Sequence, residues 1–396
     1  MICKVTKKKI NPFMSFGKMP IANGFVEEKN FNTEYFYNME VGFSEDLSLF
    51  QLNDHPKPEL MFNESYPFFS GSSEYMINHF KNYSDFIKKN FLKSNSKIIE
   101  IGSNDGTMLK NFFKNDNNVV GFEPSKNVAL KAINGGVPTI NKFFNFINAK
   151  NINEFVGNTD VIYASNVICH IPNLDDLIKS IDLLLSKDGT FIFEEPYLGS
   201  MFEKTSYDQI YDEHIFVFSI SSIIKVFKLY DLHLTDIQPQ ITHGGSMRYI
   251  IKRKNKENPS LKLKEYLEKE KINKIDSLES SLIFKKNCEA SKLEITEKLK
   301  KIKSKNKKIC GYAATSKSTT VLNYCNIGSE TIDFICDTTE EKIGKYSPGK
   351  HIPIVDMSHF YKNQPDYIYL FAWNHKEEIL KKENKFKGGW FSHVAL

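Results

Sequence analysis

The segment from Lys97 to Pro124, KIIEIGSNDGTMLKNFFKNDNNVVGFEP, constrains the fold of this 396-residue chain more than any other. An apolar run at 98–101 is typical of a buried parallel strand. Gly102 and Gly106 then predict a tight turn, because glycine accepts torsions that other residues resist. Apolar residues at 108–113 predict one face of a following helix, and a second strand comes after it. The segment therefore predicts the first unit of a doubly wound α/β sheet.

The second strand of this unit ends at an acidic residue, Glu123, and the turn itself is preceded by Glu100. Ligands of such sheets bind outside the carboxyl ends of the strands, where a carboxylate can accept both hydroxyls of a ribose. The chain has neither Gly-x-Gly-x-x-Gly nor Gly-Lys-Ser/Thr at this turn, which favours a nucleoside ligand without phosphates. The alternative is a plain turn. The combined pattern resembles motif I of the class I S-adenosylmethionine (SAM) methyltransferases.

Composition bounds the remaining possibilities. The hydrophobic share of 41 % and the charged share of 26 % are ordinary for a globular protein. The net charge of +5 comes largely from scattered lysines, so we expect no nucleic-acid partner. Six cysteines form no CxxC pair, which predicts reduced thiols. No apolar run is long enough for a leader or a membrane span, so we expect a cytoplasmic protein without a membrane partner.

Four parts follow from the pattern along the chain. Residues 1–75 predict a small, turn-rich lobe with short strands, and residues 76–253 alternate helices and strands. Residues 254–308 are rich in lysine and glutamate, which predicts a solvated helical connector. Residues 309–396 form a second α/β unit. We expect a monomer or a homodimer.

With these parts in place, the chain resembles the C-methyltransferases that act on nucleotide-linked 4-keto deoxysugars. The resemblance covers nearly the whole length and depends on motifs in a fixed order. They are Met19–Asn23, Tyr66–Phe68, Glu100–Gly106, Asn166–Pro172, Tyr211–His214, His243–Arg248 and Gly344–Pro353. The resemblance implies a class I methyltransferase sheet, an N-terminal lobe, a Rossmann-like C-terminal domain that binds the nucleotide sugar, and SAM as cofactor.

The N-terminal lobe departs from this family. The family carries two CxxC pairs that hold zinc, whereas here Cys3 stands at the first position and Thr6, Ser44 and Leu47 at the others. A structural zinc site needs four thiolate or imidazole ligands. We therefore predict no metal, with apolar packing in its place.

Carbon methylation requires a base that removes a proton next to the keto group. His214 is the predicted base, because imidazole titrates near neutral pH. Glu213 would position a sugar hydroxyl or orient water, while Tyr211 and Tyr66 would donate to the developing enolate oxygen. The resemblance assigns these four residues to one catalytic cluster.

The predicted cofactor residues lie at the turn and at the ends of neighbouring strands. The carboxylate of Glu123 would hold the ribose, and donors at the turn would bind the methionine carboxylate. His170 is a second candidate for the base, and a structural role is an equal alternative. Phe144 would flank adenine or, equally, pack in the core. The full set is Glu100, Gly102, Ser103, Asn104, Gly106, Glu123, Pro124, Phe144, Asn166 and His170.

The predicted substrate residues belong to the second half of the chain. The Thr315–Ser318 helix start is a ready anion site, and Arg248 could fork onto phosphate or form a structural salt bridge. By resemblance the set is His243, Ser246, Arg248, Lys317, Tyr346, His351, Trp373 and Asn374.

Two rival functions stay open on the sequence. One is an O-methyltransferase on a nucleotide-linked or surface-polysaccharide sugar, with His214 deprotonating a hydroxyl. The other is a non-catalytic protein that binds a sugar nucleotide or cofactor.

Overall fold

A computed structural model describes residues 1–64, 66–113, 117–253 and 259–396. The strands are β1 (Pro12–Pro20), β2 (Phe36–Ser44), β3 (Leu49–Leu52), β4 (Lys97–Ile101), β5 (Asn118–Phe122), β6 (Thr139–Ile140), β7 (Thr159–Ser165), β8 (Leu185–Pro196), β9 (Phe216–Val217), β10 (His233–Gln240), β11 (Ser246–Lys252), β12 (Ile309–Tyr312), β13 (Phe334–Cys336), β14 (Ile354–Val355), β15 (Tyr367–Leu370) and β16 (Gly389–Phe391).

The α-helices are α1 (Pro58–Met61), α2 (Glu74–Phe91), α3 (Lys126–Asn134), α4 (Phe146–Lys150), α5 (Leu174–Leu184), α6 (Leu198–Lys204), α7 (Ile220–Lys228), α8 (Leu261–Ile272), α9 (Leu278–Lys303), α10 (Ser316–Tyr324), α11 (Met357–Lys362) and α12 (Lys376–Lys382). None of the helices in the described ranges is long and apolar enough to cross a membrane.

The central sheet has seven strands in the order β10-β11-β8-β7-β4-β5-β6. Strands β8 to β6 pair in parallel, while β11 and β10 are antiparallel additions at one edge. Both faces of the central strands are buried, which explains the continuous apolar run at 98–101. The strand order reverses between β4 and β7, and a ligand site is expected at this point. The predicted class I methyltransferase sheet is confirmed.

The helix predicted over 108–113 is wrong. Leu109–Phe112 form one 3-10 turn, and residues 114–116 lie outside the described ones. The Asn111 side chain donates to the carbonyl oxygens of Thr107 and Met108, which an α-helix would otherwise use for its own backbone bonds.

The first twenty residues are more regular than predicted. The strand β1 pairs with β2 as the edge of a four-stranded antiparallel sheet, β1-β2-β3-β9. Its prolines stand at the two ends, and Gly17, with φ of 79°, lies at a register shift. Proline and glycine therefore mark an edge strand with a bulge. The fourth strand, β9, comes from the middle of the chain, so the lobe and the central sheet share one segment.

The C-terminal unit is a parallel sheet of five strands, β14-β13-β12-β15-β16, as predicted for a Rossmann-like domain. The helices α8 and α9 occupy the predicted connector, of which residues 254–258 lie outside the described ones. The proposed domain boundaries stay a prediction. All six cysteines are free and buried.

Candidate active site

The loop that follows β7 lies against the glycine turn. Gly102 has φ of 67°, and a Cβ atom built on it would be 2.4 Å from a methyl of Val167. Any larger residue there would therefore separate the turn from the loop. The loop carries Asn166, whose Oδ1 is buried and unpaired among the described residues, and His170, whose Nε2 is likewise unpaired. The turn and the loop together form the carboxyl edge of the sheet where the cofactor was predicted.

Glu123 lies at the end of β5 and is 5 % exposed. Its Oε2 accepts from the backbone N–H of Asn104 at 3.0 Å, and its Oε1 from that of Ser125 at 2.7 Å. Burial raises the pKa of this carboxyl, and the hydrogen bonds from Ser125 and Asn104 oppose the shift. Each carboxylate oxygen can accept more than one hydrogen bond, so the side chain is oriented and still able to receive ribose hydroxyls.

The predicted donors to the methionine carboxylate are engaged elsewhere. The Ser103 N–H donates to the carbonyl oxygen of Phe122 at 2.9 Å, and the Asn104 N–H donates to Glu123. The Asn104 amide accepts from the Ser70 N–H at 2.8 Å and donates to the Phe68 carbonyl oxygen. The turn therefore uses these two N–H groups to close on β5, while the buried Ser103 hydroxyl has no partner among the described residues, and the role of the turn in binding the methionine carboxylate stays a prediction.

Two other predicted cofactor residues face the core. Glu100 is buried and accepts from the hydroxyl of Tyr163 at 2.9 Å, and burial raises its pKa well above the usual value. Phe144 packs edge to face on Phe122, with ring centroids 5.1 Å apart. Core packing, the alternative left open for Phe144, is therefore what the structure shows.

The other two lie at the site's margin. Gly106, at φ of 75°, closes the turn with an N–H bond to the Ser103 carbonyl oxygen, and Pro124 continues the chain beyond Glu123.

A compact cluster surrounds His214. Its Nδ1 lies 2.6 Å from the carbonyl oxygen of Gln209, and its Nε2 lies 2.8 Å from the hydroxyl of Tyr211. Because a carbonyl can only accept, Nδ1 carries the proton and Nε2 accepts from Tyr211, a tautomer assigned from these bonds. The His170 ring stacks on the His214 ring at 5.4 Å. The imidazole of His214 thus lies next to the loop that touches the glycine turn.

Burial sets the protonation of this cluster. The pKa of His214 is well below its usual value because of burial, with the neighbouring His170 adding to the shift. Burial also lowers the pKa of His170 to about 3. Both rings are neutral at pH 7 and can accept a proton. Burial raises the pKa of Tyr211 well above its usual value, which keeps its hydroxyl a neutral donor.

A thiol completes this group. Cys169, His170 and His214 each offer a potential metal-ligand atom within 4.8 Å of the others. Burial raises the pKa of the Cys169 thiol well above its usual value, and His214 Nε2 is bonded to Tyr211. The Cys169 thiol is therefore protonated and His214 Nε2 is hydrogen-bonded, while Nε2 of His170 has no partner among the described residues.

Glu213 connects the N-terminal lobe, the central sheet region and the C-terminal unit through side-chain hydrogen bonds. Its Oε2 accepts from the hydroxyl of Tyr66 at 3.1 Å, and its Oε1 accepts from the Asn23 amide at 2.6 Å. The oxygen of the same amide accepts from the Ser316 hydroxyl at 3.0 Å, at the start of α10. Burial raises the pKa of Glu213. Asn23 was not among the predicted site residues, although it closes the Met19–Asn23 motif.

A cationic side chain, that of Lys317, faces the cluster from the C-terminal unit. Lys317 is 8 % exposed, its Nζ lies 3.2 Å from Oδ1 of Asn374, and its ammonium lies 5.0 Å from the Trp373 ring. Lys317 and His243 both contribute to lowering the pKa of His214, after burial and His170, which places them near the same imidazole. Four predicted substrate residues therefore lie beside the His214 cluster. They are His243, Lys317, Trp373 and Asn374.

Gln209 connects His243 to His214 through two hydrogen bonds. Its carbonyl oxygen accepts from His214, and its side-chain amide donates to the carbonyl oxygen of His243. Sequence reasoning missed this residue, because its main role is carried by a backbone group that no side-chain motif reports.

Arg248 has a structural role. It forks onto Oε2 of Glu194 with its Nε at 3.2 Å and Nη2 at 2.9 Å, and its Nη1 donates to Gln238. The guanidinium stacks on the Tyr83 ring at 3.7 Å. The structural salt bridge, one of the two predicted alternatives, is present, and the phosphate contact stays a prediction. Its position on β11, inside the sheet, explains the burial.

Three further predicted substrate residues form other contacts. The His351 ring stacks on Phe31 at 3.7 Å and its Nε2 lies 2.8 Å from a carboxylate oxygen of Glu34. Tyr346 packs edge to face on the same Phe31 ring. Ser246 donates to the backbone carbonyl of Thr242. Their roles in binding stay predictions.

Comparisons with known proteins agree with this architecture. Three family models match successive parts of the chain: a zinc binding domain over residues 2–62, a methyltransferase domain over 75–237 and a C-methyltransferase C-terminal domain over 241–394. The C-methyltransferase NovU of Streptomyces niveus is 28 % identical over 385 residues, which cover 96 % of this chain and 91 % of NovU.

Two solved structures align with a little under half of the chain. The PH0226 protein of Pyrococcus horikoshii OT3 is 15 % identical, with a TM-score of 0.39, over 47 % of this chain and 95 % of its own. The plantazolicin methyltransferase BpumL, solved with SAH, is 14 % identical, with a TM-score of 0.34, over 44 % of this chain and 82 % of its own.

The sheet, the glycine turn with its acidic partner and the matching methyltransferase domain define a SAM-dependent methyltransferase. The chain is a homologue of the C-methyltransferase NovU along nearly its full length, and the three matched family models follow one another as in a three-part architecture. The non-catalytic alternative is therefore wrong.

The zinc that the first family implies does not fit the residues present. Cys3 is the single thiol at the expected place, and the Thr6 N–H donates to its sulfur at 3.5 Å. Leu47 offers no ligand atom, so a four-ligand site cannot form there. Gln51, fully buried, instead accepts from the Lys4 N–H and donates to the Ile2 carbonyl oxygen. A side-chain amide thus ties the N-terminal turn to β3.

Proposed function

We propose that this methyltransferase transfers a methyl group to carbon on a nucleotide-linked sugar, next to a 4-keto group. The observation that carries the proposal is the cluster of Tyr66, Tyr211, Glu213 and His214 beside the glycine turn. It combines a neutral imidazole with two phenol donors, which is the equipment for forming and stabilising an enolate. When bound, SAM supplies an electrophilic methyl group.

His214 acts as the base in this proposal. Its Nδ1–H bond to Gln209 fixes the tautomer that leaves Nε2 basic, and burial keeps the ring neutral. In the ligand-free structure Tyr211 donates to that same Nε2. On substrate binding the Tyr211 hydroxyl turns to the keto oxygen, which frees Nε2 to take the C3 proton. The same movement of the Tyr211 hydroxyl thus frees the base, His214, and stabilises the enolate oxygen.

Glu213 and Tyr66 hold the sugar in place. The carboxylate of Glu213 is oriented by Asn23 and by Tyr66, so its remaining lone pairs can accept from a sugar hydroxyl. The diphosphate would meet Lys317 and the N-terminus of α10, where a cation and the positive end of the helix favour an anion, although the Ser318 N–H is capped by the Thr315 hydroxyl. SAM would meet Glu123 and the loop at Asn166.

The second candidate is O-methylation of a nucleotide-linked or surface-polysaccharide sugar. The same neutral His214 favours it, because an imidazole can deprotonate a hydroxyl as well as an acidic C–H group. The test is product analysis after incubation with SAM and a panel of nucleotide sugars, both 4-keto and 4-hydroxy. A methyl on carbon gives a high-field NMR signal, and a methyl on oxygen lies far downfield.

A methyl signal on carbon, only with 4-keto substrates, is the expected result. A methyl on oxygen supports the second candidate. Absence of methyl gain across the panel contradicts methylation of a nucleotide sugar at either atom. His214→Gln is the matched variant, because glutamine preserves hydrogen bonding without accepting a proton.

A further inference from the structure

A second glutamate is buried beside the catalytic loop. Glu195, at the end of β8, is fully buried. Its Oε1 accepts from three consecutive backbone N–H groups, those of Val167 at 3.0 Å, Ile168 at 2.6 Å and Cys169 at 3.4 Å. Successive N–H groups that converge in this way form a concave site for an anion. Here the chain's own carboxylate fills that site.

The loop held by Glu195 is the one that carries site residues at both ends. Asn166 begins it in the left-handed region, with φ of 55°, beside the glycine turn. His170 ends it and stacks on His214. A left-handed asparagine followed by converging N–H groups is costly without an anion to pair them. The loop conformation therefore depends on the carboxylate.

We propose that Glu195 is a positioning residue for methyl transfer, whose carboxylate holds the loop of residues 166–170 so that His170 stays stacked on His214. This inference uses the proposed role of His214 and adds a residue that touches neither sugar nor cofactor. The ionised form binds the three N–H groups more strongly than the protonated form does. Burial raises the pKa of Glu195 to about 7, with the hydrogen bonds from Cys169, Val167 and Ile168 opposing the shift.

The groups that face Glu195 stay neutral across the same pH range. They are the Cys169 thiol on the loop, the Tyr83 phenol on α2 and the Tyr249 phenol on β11, and burial raises the pKa of each. A change in loop order near pH 7 therefore reports Glu195.

The test compares Glu195→Gln with Glu270→Gln. Glu270 is also fully buried and accepts two backbone N–H groups, those of Ile220 and Ser221, but at the start of α7. Both variants should lower the melting temperature. At pH 8, Glu195→Gln should lower kcat about tenfold with little change in KM. At pH 6 it should match the wild type, since the wild-type carboxyl is then protonated. Glu270→Gln should follow the wild-type pH profile.

Equal kcat of Glu195→Gln and wild type at pH 8, or the same pH-dependent loss in Glu270→Gln, would overturn the proposal. Amide hydrogen exchange in the wild type needs neither the variant nor the sugar. After correction for intrinsic rates, protection at 167–169 should rise about tenfold from pH 6 to pH 8. Unchanged protection would overturn the proposal even if the sugar substrate is wrong, and increased protection without sugar methylation would contradict only the proposed function.

Discussion

The hydroxyl of Tyr211 lies 2.8 Å from Nε2 of His214, the one ring nitrogen of that histidine that is free to accept a proton. The two residues are three positions apart across a turn that the His214 N–H closes on the Tyr211 carbonyl oxygen, and their side chains share a hydrogen bond at the edge of the cofactor site. This hydrogen bond predicts that the base and the enolate donor act together. The proton of the Tyr211 hydroxyl stays hydrogen-bonded to Nε2 of His214 until it is donated to the enolate oxygen.

Tyr211→Phe should lower kcat by about 10²- to 10³-fold, as for the loss of an oxyanion donor, with little change in KM. Tyr312→Phe is the control, because that buried hydroxyl bonds Glu383 in the C-terminal sheet. Steady-state kinetics of both variants make the measurement. A Tyr211→Phe enzyme with near-normal kcat contradicts the coupling.

Asn23→Ala should lower kcat about tenfold, because it removes a hydrogen bond to the buried carboxylate of Glu213, a bond worth about 1.5–3 kcal/mol. Ser316→Ala removes only the link from that amide to α10, and kcat should fall about twofold. We therefore expect Asn23→Ala to lower kcat more than Ser316→Ala does. Equal losses of kcat would mean that the link between Asn23 and α10 accounts for the effect, and not the orientation of Glu213.

Arg248→Met should destabilise the protein by about 3 kcal/mol, because Glu194 loses the guanidinium on its Oε2 and, of the described residues, keeps only His79 and Thr242 at Oε1. The KM for the nucleotide sugar should change little. Lys179→Met breaks an exposed pair with Asp175 and should cost under about 1 kcal/mol. Denaturant unfolding measures both. Unchanged stability with a raised KM would support the phosphate role of Arg248.

Acid should destabilise the protein through its buried histidines. Burial lowers the pKa of His170 to about 3, so below pH 6.5 the unfolded chain binds a proton that the native state does not. The stability held above pH 6.5 is lost as pH falls, by about 2 kcal/mol at pH 5 for this residue. His170→Asn should lose less stability between pH 7 and pH 5 than the wild type does. Parallel curves for wild type and His170→Asn contradict the assignment.

The N-terminal lobe should fold without zinc. Purified protein should contain well under one zinc per chain, and a chelator should leave its melting temperature unchanged. Gln51→Ala should lower that temperature, because it removes both bonds that tie the N-terminal turn to β3. One zinc per chain, with unfolding on chelation, would show that other residues complete the site.

The sequence predicted the central sheet well because the apolar runs and the glycine turn act locally. It also predicted the cluster around His214, since three of those residues adjoin in the chain. It failed where a side chain competes for backbone groups, as at Asn111. It left Arg248 open, because the burial that pairs it with Glu194 is set by the antiparallel edge of the sheet. It missed Asn23, Gln209 and Glu195, whose partners are distant in sequence or are backbone atoms.

Solvent exchange at the sugar tests the central claim most directly. The wild type should be incubated in heavy water with a dTDP-4-keto-deoxysugar and S-adenosylhomocysteine, which allows enolate formation without methyl transfer. The account predicts deuterium at C3, seen by NMR, and at least a hundredfold slower exchange for His214→Gln. Methyl transfer by an enzyme that shows no C3 exchange, or equal exchange in the variant, would contradict the role of His214 as the base.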